Sequence, residues 1–173
     1  MSEKVVFLCT GNAARSVMSG AALAAHLPDW QVTTAGTLVV EGQPMSWRTR
    51  AALQASGLDA PQHRSRQATA ADLESAGLVI ALAPEHVEWV RRTHPEIAHR
   101  TATLRRLARD LPPDGAGLAE RVDSLRLAEV ELCDWEGVAD PGGGSAEVFA
   151  ACGQEIVDLV AALAPRLAGR PGR

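Results

Sequence analysis

The sequence predicts an α/β fold in which a parallel β-sheet is covered by helices on both faces, and three observations carry that expectation. Val5-Val6-Phe7-Leu8 and Leu78-Val79-Ile80-Ala81-Leu82 are continuous apolar runs, the mark of strands buried on both faces. Segments with apolar residues at helical spacing lie between and after them, so strands and helices alternate. The 173 residues, 46% hydrophobic and 22% charged, have the size and composition of one globular domain with a real core. That domain is expected to span residues 1–167, with 168–173 as a disordered tail.

The first strand carries Cys9 at its carboxyl end. Val17, Met18, Ala21, Ala22 and Ala25 then recur at helical spacing in an Ala-rich stretch, which predicts a helix from Ser16 to Leu27, ended by Pro28. Gln31 to Ala35 reads as a second strand stopped by Gly36, and Ser46 as the N-cap of a helix through Ala55 that Gly57 terminates. Asp72-Leu73-Glu74 is a short helical piece before the second apolar run, after which Pro84 opens a helix to Thr93. Arg100 to Leu104 is the fourth predicted strand, followed by helical residues Leu104 to Leu111 and a turn at Pro112-Pro113-Asp114-Gly115. Leu118 to Leu132 reads as one more helix. After a flexible Gly142-Gly143-Gly144 turn, Phe149, Ile156, Leu159, Val160 and Leu163 form the stripe of a long amphipathic helix, Ala146 to Leu163.

The net charge of −4 gives an overall field that does not favour polyanions, so neither nucleic acid nor an anionic membrane is expected as a partner. The apolar run at Val5 is too short for a signal-peptide core or a membrane span, which predicts a cytoplasmic protein. Three cysteines, Cys9, Cys133 and Cys152, form no C-x-x-C pair, the pattern of a reducing compartment and not of a disulfide scaffold or a zinc site. With four Trp, two Phe and no Tyr, no phenol is available as acid, base or ligand wall.

Cys9-Thr10-Gly11-Asn12-Ala13-Ala14-Arg15-Ser16 joins the carboxyl end of the first strand to a helix N-terminus, the place where open α/β sheets bind ligands. Its composition suits an oxyanion. Gly11 permits unusual backbone angles, Ala13 and Ala14 leave backbone N–H groups accessible, and the helix beginning at Ser16 points its free N–H groups into the loop. Arg15 adds a planar fork matched to phosphate. A thiolate at Cys9 is then placed to attack a bound phosphoryl group and form a phosphocysteine that water hydrolyses.

The order of four further pieces resembles one family. C-T-G-N-A-A-R-S is similar to the C-x5-R-S phosphate loop of the low-molecular-weight protein tyrosine phosphatases. Thr33-Thr34-Ala35-Gly36-Thr37, His63-Arg64-Ser65-Arg66-Gln67, the Ile80 to His86 segment and Asp140-Pro141 resemble that family's other motifs in order. The resemblance implies a three-layer fold with a four-stranded parallel sheet. It also implies roles: Cys9 as nucleophile, Arg15 as phosphate clamp, Asn12 as the residue that holds the loop, and Ser16 as hydrogen-bond partner of the thiolate. Thr10, Gly11, Ala13 and Ala14 would complete the phosphate cradle, Thr34 and His63 would support Asn12, and Asp140 would protonate the leaving atom and then activate water. Asp134 is the runner-up acid. No metal and no cofactor is implied, because loop N–H groups and Arg15 neutralise the phosphoryl charge.

Three positions depart from the family's pattern. Gly142-Gly143-Gly144 stands where aromatic residues usually follow the D-P pair, Ala13 stands where a bulky residue is common, and Ala14 replaces a second cysteine. Trp47 is the candidate for an aromatic pocket wall, and Cys133 and Cys152 read as core or interface residues. The implied activity is hydrolysis of a phosphomonoester on a protein or a small molecule, protein phosphotyrosine among the candidates. Two rival functions share these residues: arsenate reduction with an external thiol, and a phospho-ligand binding module without turnover. The segment 112–132 is longer than the family's usual connection before the acid.

Overall fold

The computed structural model describes residues 3–169. Four strands, β1 (Lys4–Cys9), β2 (Gln31–Gly36), β3 (Leu78–Ala81) and β4 (Thr101–Thr103), form one parallel sheet in the order β2-β1-β3-β4. The chain leaves β1 toward β2 on one side and later returns to β3 on the other, so the loops above β1 diverge there and open a crevice.

Alternation along β1 sets the two layers. Val5, Phe7 and Cys9 face a larger core with Leu23, Leu53, Ile156 and Leu163, supplied by α1 (Arg15–His26), α2 (Trp47–Ala55) and α7 (Ala146–Leu167). Leu104 and Leu107 of α5 (Leu104–Asp110) join the same core. Val6 and Leu8 face a smaller one with Leu73 of α3 (Ala70–Glu74) and Val90 of α4 (Pro84–Thr93). The expected three-layer α/β architecture with a four-stranded parallel sheet is the one observed. Local chemistry explains the boundaries. Ser46 Oγ accepts from Thr49 N to cap α2, Thr69 and Asp72 form a reciprocal capping box on α3, and Gly57 takes φ +70° after α2.

Two predicted elements differ. The helix expected over Leu118 to Leu132 is only α6 (Leu118–Asp123). Arg126 takes φ +52°, which a helix interior does not accommodate, and the Leu127 and Val130 carbonyls are held by Arg91 Nη2 at 2.8 and 2.7 Å. Beyond α6, Leu125 and Leu127 pack against the core from a coiled segment rather than from a helical face. The last helix, in turn, runs past Leu163 to Leu167 in spite of Pro165. That proline removes one intrahelical donor in the last turn, while Leu163, Ala164 and Leu167 are buried. The buried Arg121 caps the open end, donating from Nη1 to Arg166 O and from Nη2 to Leu167 O, and it also bonds Ala116 O and Pro112 O. Ala168 and Gly169, expected in the disordered tail, close the terminal turn of α7; the tail's remaining residues, 170–173, lie outside those described. Two 3-10 turns, Pro95–Arg100 and Asp134–Glu136, had no sequence signal.

Candidate active site

The loop from Cys9 to Arg15 crosses from β1 to α1 at the crevice, and its shape is held from inside. Asn12 takes φ +52°, a left-handed conformation that costs a non-glycine residue ~1–2 kcal/mol. Four contacts offset that cost. Asn12 Nδ2 donates to Ser16 Oγ at 2.9 Å and to Thr34 Oγ1 at 3.0 Å, Oδ1 accepts from Arg66 N at 3.0 Å, and the Asn12 carbonyl accepts from His63 Nε2 at 2.8 Å. A carbonyl can only accept, so His63 carries its proton on Nε2. Burial lowers the His63 pKa, the bond to Asn12 opposes that, and Arg64 adds to it; the net is downward, so the imidazole is neutral near pH 7. Thr34 and His63 thus both hydrogen-bond to Asn12.

The Cys9 side chain is 3% exposed and its Sγ lies 3.0 Å from Ser16 Oγ. Ser16 Oγ accepts from Asn12 Nδ2, and its own proton is available to a thiolate at Cys9. Above the sulfur the loop is open. Gly11 and Ala13 are exposed, no heavy atom lies within 4 Å of a Cβ built on Gly11, and Ala14 caps α1 without a side-chain hydrogen bond. The first N–H groups of a twelve-residue helix are therefore left for an anion. The outer strand presses close: a Cβ on Gly36 would collide with Thr10 O and Val39 and come within 3.0 Å of Asn12 N, so this position admits only glycine. Thr37 N and Leu38 N donate to the Cys9 and Thr10 carbonyls, and Thr49 Oγ1 donates to Ala13 O at 3.2 Å.

Arg15 is 4% exposed. Its Nη1 donates to Val138 O at 3.0 Å, and Nη2 lies 3.6 Å from Asp140 Oδ2. Asp140, 125 residues away in sequence, is therefore brought to the mouth of the loop, with its side chain 63% exposed and Oδ1 accepting from Gly142 N at 2.9 Å. A groove of about 370 Å³ opens beside this pair, lined by Arg15, Glu85, Asp134, Val138 and Asp140. A larger cavity of about 610 Å³, near Glu3, His26 and Asp29, sits at the opposite end of β1 and contains none of these residues.

The runner-up acid, Asp134, lines the groove, whereas Asp140 is the carboxylate against Arg15. Trp47 opens α2, two residues before Thr49, and is 61% exposed with the Arg48 guanidinium 4.8 Å above its ring, so it does not pack into the core. Cys152 is buried, and burial pushes its thiol up to about 11; Cys133 is half-buried.

Several residues that support the site were given no site role by the sequence, although Gly36 and His86 lie in its motifs. Thr49 and Gly36 support the loop from α2 and β2. Glu136, wholly buried, accepts from Arg106 Nε at 2.7 Å, Thr103 Oγ1 at 3.0 Å and Cys133 N at 2.7 Å, fixing the segment that leads to the acid. Burial alone would raise the Glu136 pKa; Arg106, Cys133 N and Thr103 outweigh it and hold the carboxyl below its usual range. His86 meets Thr10. Apart from the local bond between Glu136 and Cys133 N, these hydrogen-bonded pairs join residues thirty or more positions apart, beyond the reach of local sequence patterns.

Residues 4–112 match the low molecular weight phosphotyrosine protein phosphatase family. The chain is 29% identical over 168 residues to a protein-arginine-phosphatase of Geobacillus stearothermophilus, covering 96% of this chain and 97% of the relative. The solved arginine phosphatase structure from that organism superposes with a TM-score of 0.77 over 96% of this chain and 93% of its own. A low molecular weight protein tyrosine phosphatase from T. tengcongensis, 28% identical, superposes at 0.75, covering 94% of this chain and 97% of that one.

Proposed function

From a chain that belongs to the low molecular weight phosphotyrosine protein phosphatase family, and is a cysteine-dependent phosphatase, we propose that Cys9 is the nucleophile, Arg15 the phosphate clamp and Asp140 the acid and base. The observation that carries this reading is the Arg15 side chain, rooted on Val138 O in the loop's wall and reaching Asp140 at 3.6 Å. One guanidinium then holds the phosphoryl oxygens beside the group that must reach the leaving atom.

In the first step Cys9 Sγ attacks phosphorus, forming the S–P bond as the bond to the leaving oxygen or nitrogen breaks, and Asp140 gives its proton to the leaving atom. In the second, Asp140 takes a proton from water, whose oxygen attacks phosphorus; the S–P bond breaks, and phosphate and the thiolate are released. Ser16 stabilises the departing thiolate, Asn12 holds the loop with Thr34 and His63 behind it, and the N–H groups from Thr10 to Ala14 receive the phosphoryl oxygens. This scheme calls for no metal or cofactor.

For the substrate, the groove favours a phosphorylated arginine on a cytoplasmic protein. Three carboxylates, Glu85, Asp134 and Asp140, surround the leaving-group side, complementary to a guanidinium, and glycines stand where an aromatic wall would follow the acid. The full-length similarity to a protein named an arginine phosphatase supports the same class. A second reading, phosphotyrosine, rests on the exposed Trp47 ring, two residues before the Thr49 that bonds Ala13 O of the loop.

The test is phosphate release from p-nitrophenyl phosphate, a phosphoarginine peptide and a phosphotyrosine peptide by the natural protein, Cys9→Ser and Asp140→Asn. Loss with Cys9→Ser and a higher kcat/KM on phosphoarginine support the proposal. Preference for phosphotyrosine selects the Trp47 reading, and thiol-dependent arsenate reduction or phosphate binding without turnover would replace the site assignment.

A further inference from the structure

His86, the third residue of α4, is 1% exposed. Its Nε2 lies 2.9 Å from Thr10 Oγ1, and its Nδ1 is buried with no hydrogen-bond partner. Among the described residues His86 is the one side-chain partner of Thr10. Burial first, and the Arg15 guanidinium next, push the imidazole down to about 4 against the weaker pull of Glu85 and Asp140, so the ring is neutral across the physiological range.

A neutral imidazole carries one N–H, on one of two atoms. On Nδ1 it would be an orphaned buried donor, a costly and rare state, and it would add an N–H dipole to a ring that already feels Arg15. On Nε2 it meets the Thr10 oxygen, and the orphan is a lone pair in the field of a cation. With Nε2–H donating, Thr10 Oγ1 is an acceptor there and its own proton is uncommitted. That hydroxyl belongs to the residue after Cys9, in the open loop at the uncapped N-terminus of α1.

We propose that His86 is a positioning residue of the phosphate loop: its Nε2–H donates to Thr10 Oγ1 and leaves the Thr10 hydroxyl proton for the phosphoryl anion that the loop binds. The bond also ties the loop after β1 to the helix after β3, across the point where the two connections diverge. This inference rests on the site assignment above.

The experiment compares Thr10→Val, His86→Phe, His86→Gln and the Thr10→Val/His86→Phe double variant on p-nitrophenyl phosphate, with inhibition by inorganic phosphate, and includes Cys9→Ser. Losing one hydrogen bond to an anion corresponds to about tenfold. Thr10→Val and His86→Phe should each weaken phosphate inhibition and kcat/KM by about that factor, the double variant should be no worse than Thr10→Val alone, and His86→Gln, which keeps a side-chain donor, should recover most of the loss. Additive losses, or a Thr10→Val protein that binds phosphate like the natural one, overturn the proposal. Nitrogen-15 NMR of the natural protein decides the tautomer even where His86→Phe does not fold: a ring protonated on Nε2 supports the proposal and one protonated on Nδ1 overturns it. Activity surviving in Cys9→Ser would sink the site assignment itself, whereas a dead Cys9→Ser with additive Thr10 and His86 effects sinks only this inference.

Discussion

The phosphate loop and the acid loop do complementary work and are built in opposite ways. Cys9, Asn12, Arg15 and Ser16 are buried, and each has partners in the interior of the fold. Asp140 is mostly in water, followed by Pro141 and three glycines, with one backbone bond from Gly142 and a longer approach to Arg15. Rigidity is concentrated where a dianion must be held with its charge spread over fixed donors, because reorganising them during reaction would forfeit most of their benefit. Freedom is left to the group that must meet substrate, give up a proton and let product leave.

The largest test of that contrast is removal of the nucleophile. Cys9→Ser should fold with an unchanged melting temperature and show no turnover of an aryl phosphate. Arg15→Lys comes next: it keeps the charge but loses the fork between Val138 O and the phosphoryl group, and kcat/KM should fall ~10²–10³-fold. Asp140→Asn should lower kcat ~10²-fold with no change in thermal stability, since an exposed carboxylate 3.6 Å from Arg15 contributes little to folding. Asn12→Ala, on the rigid side, should move both quantities, reducing activity and lowering stability by ~1–3 kcal/mol as the left-handed turn loses its supports. Asp140→Asn lowering the melting temperature as much as Asn12→Ala would collapse the distinction.

The last test is a pH slope, which touches stability alone and leaves the chemistry in place. His86 binds its proton in the unfolded chain near pH 6.5 and in the folded one near 4, so below 6.5 the unfolded state takes up a proton that the folded state does not. Stability should be full above that pH and decline as pH falls toward 4, by at most ~3 kcal/mol, with His63 adding in the same direction. The decline should be shallower in His86→Gln, as read from denaturant midpoints between pH 7 and 4.5.

The same contrast explains what could be read from the chain. The phosphate loop is eight consecutive residues between an apolar run and an Ala-rich helix, so its chemistry is contiguous and legible. The sheet was legible for a similar reason, because continuous apolar runs such as Leu78 to Leu82 have few other uses. Asp140 could be placed only through its D-P motif, and nothing local announces that Arg15 and Val138 meet. Thr49, Glu136 and His86 act through partners dozens of residues away, beyond any periodicity. The helix expected over Leu118 to Leu132 shows the opposite case: Leu125 and Leu127 pack against the core without being helical, because Arg126 takes a left-handed conformation and Arg91 holds the carbonyls of Leu127 and Val130.

Val138 has a mechanical consequence. Its N–H is bonded to Leu82 O at 2.8 Å and its carbonyl to Arg15, so the chain is pinned at this residue to both β3's exit and the clamp. Asp140 follows two residues later, a leash of at most ~7 Å of extended chain. On the far side Ser145 begins α7 by accepting from Val148 N, which anchors the other end of the glycine stretch. Any swing of the acid is thus that of a short tether between two fixed posts, and the opening it creates for an arriving substrate has the tether's own size.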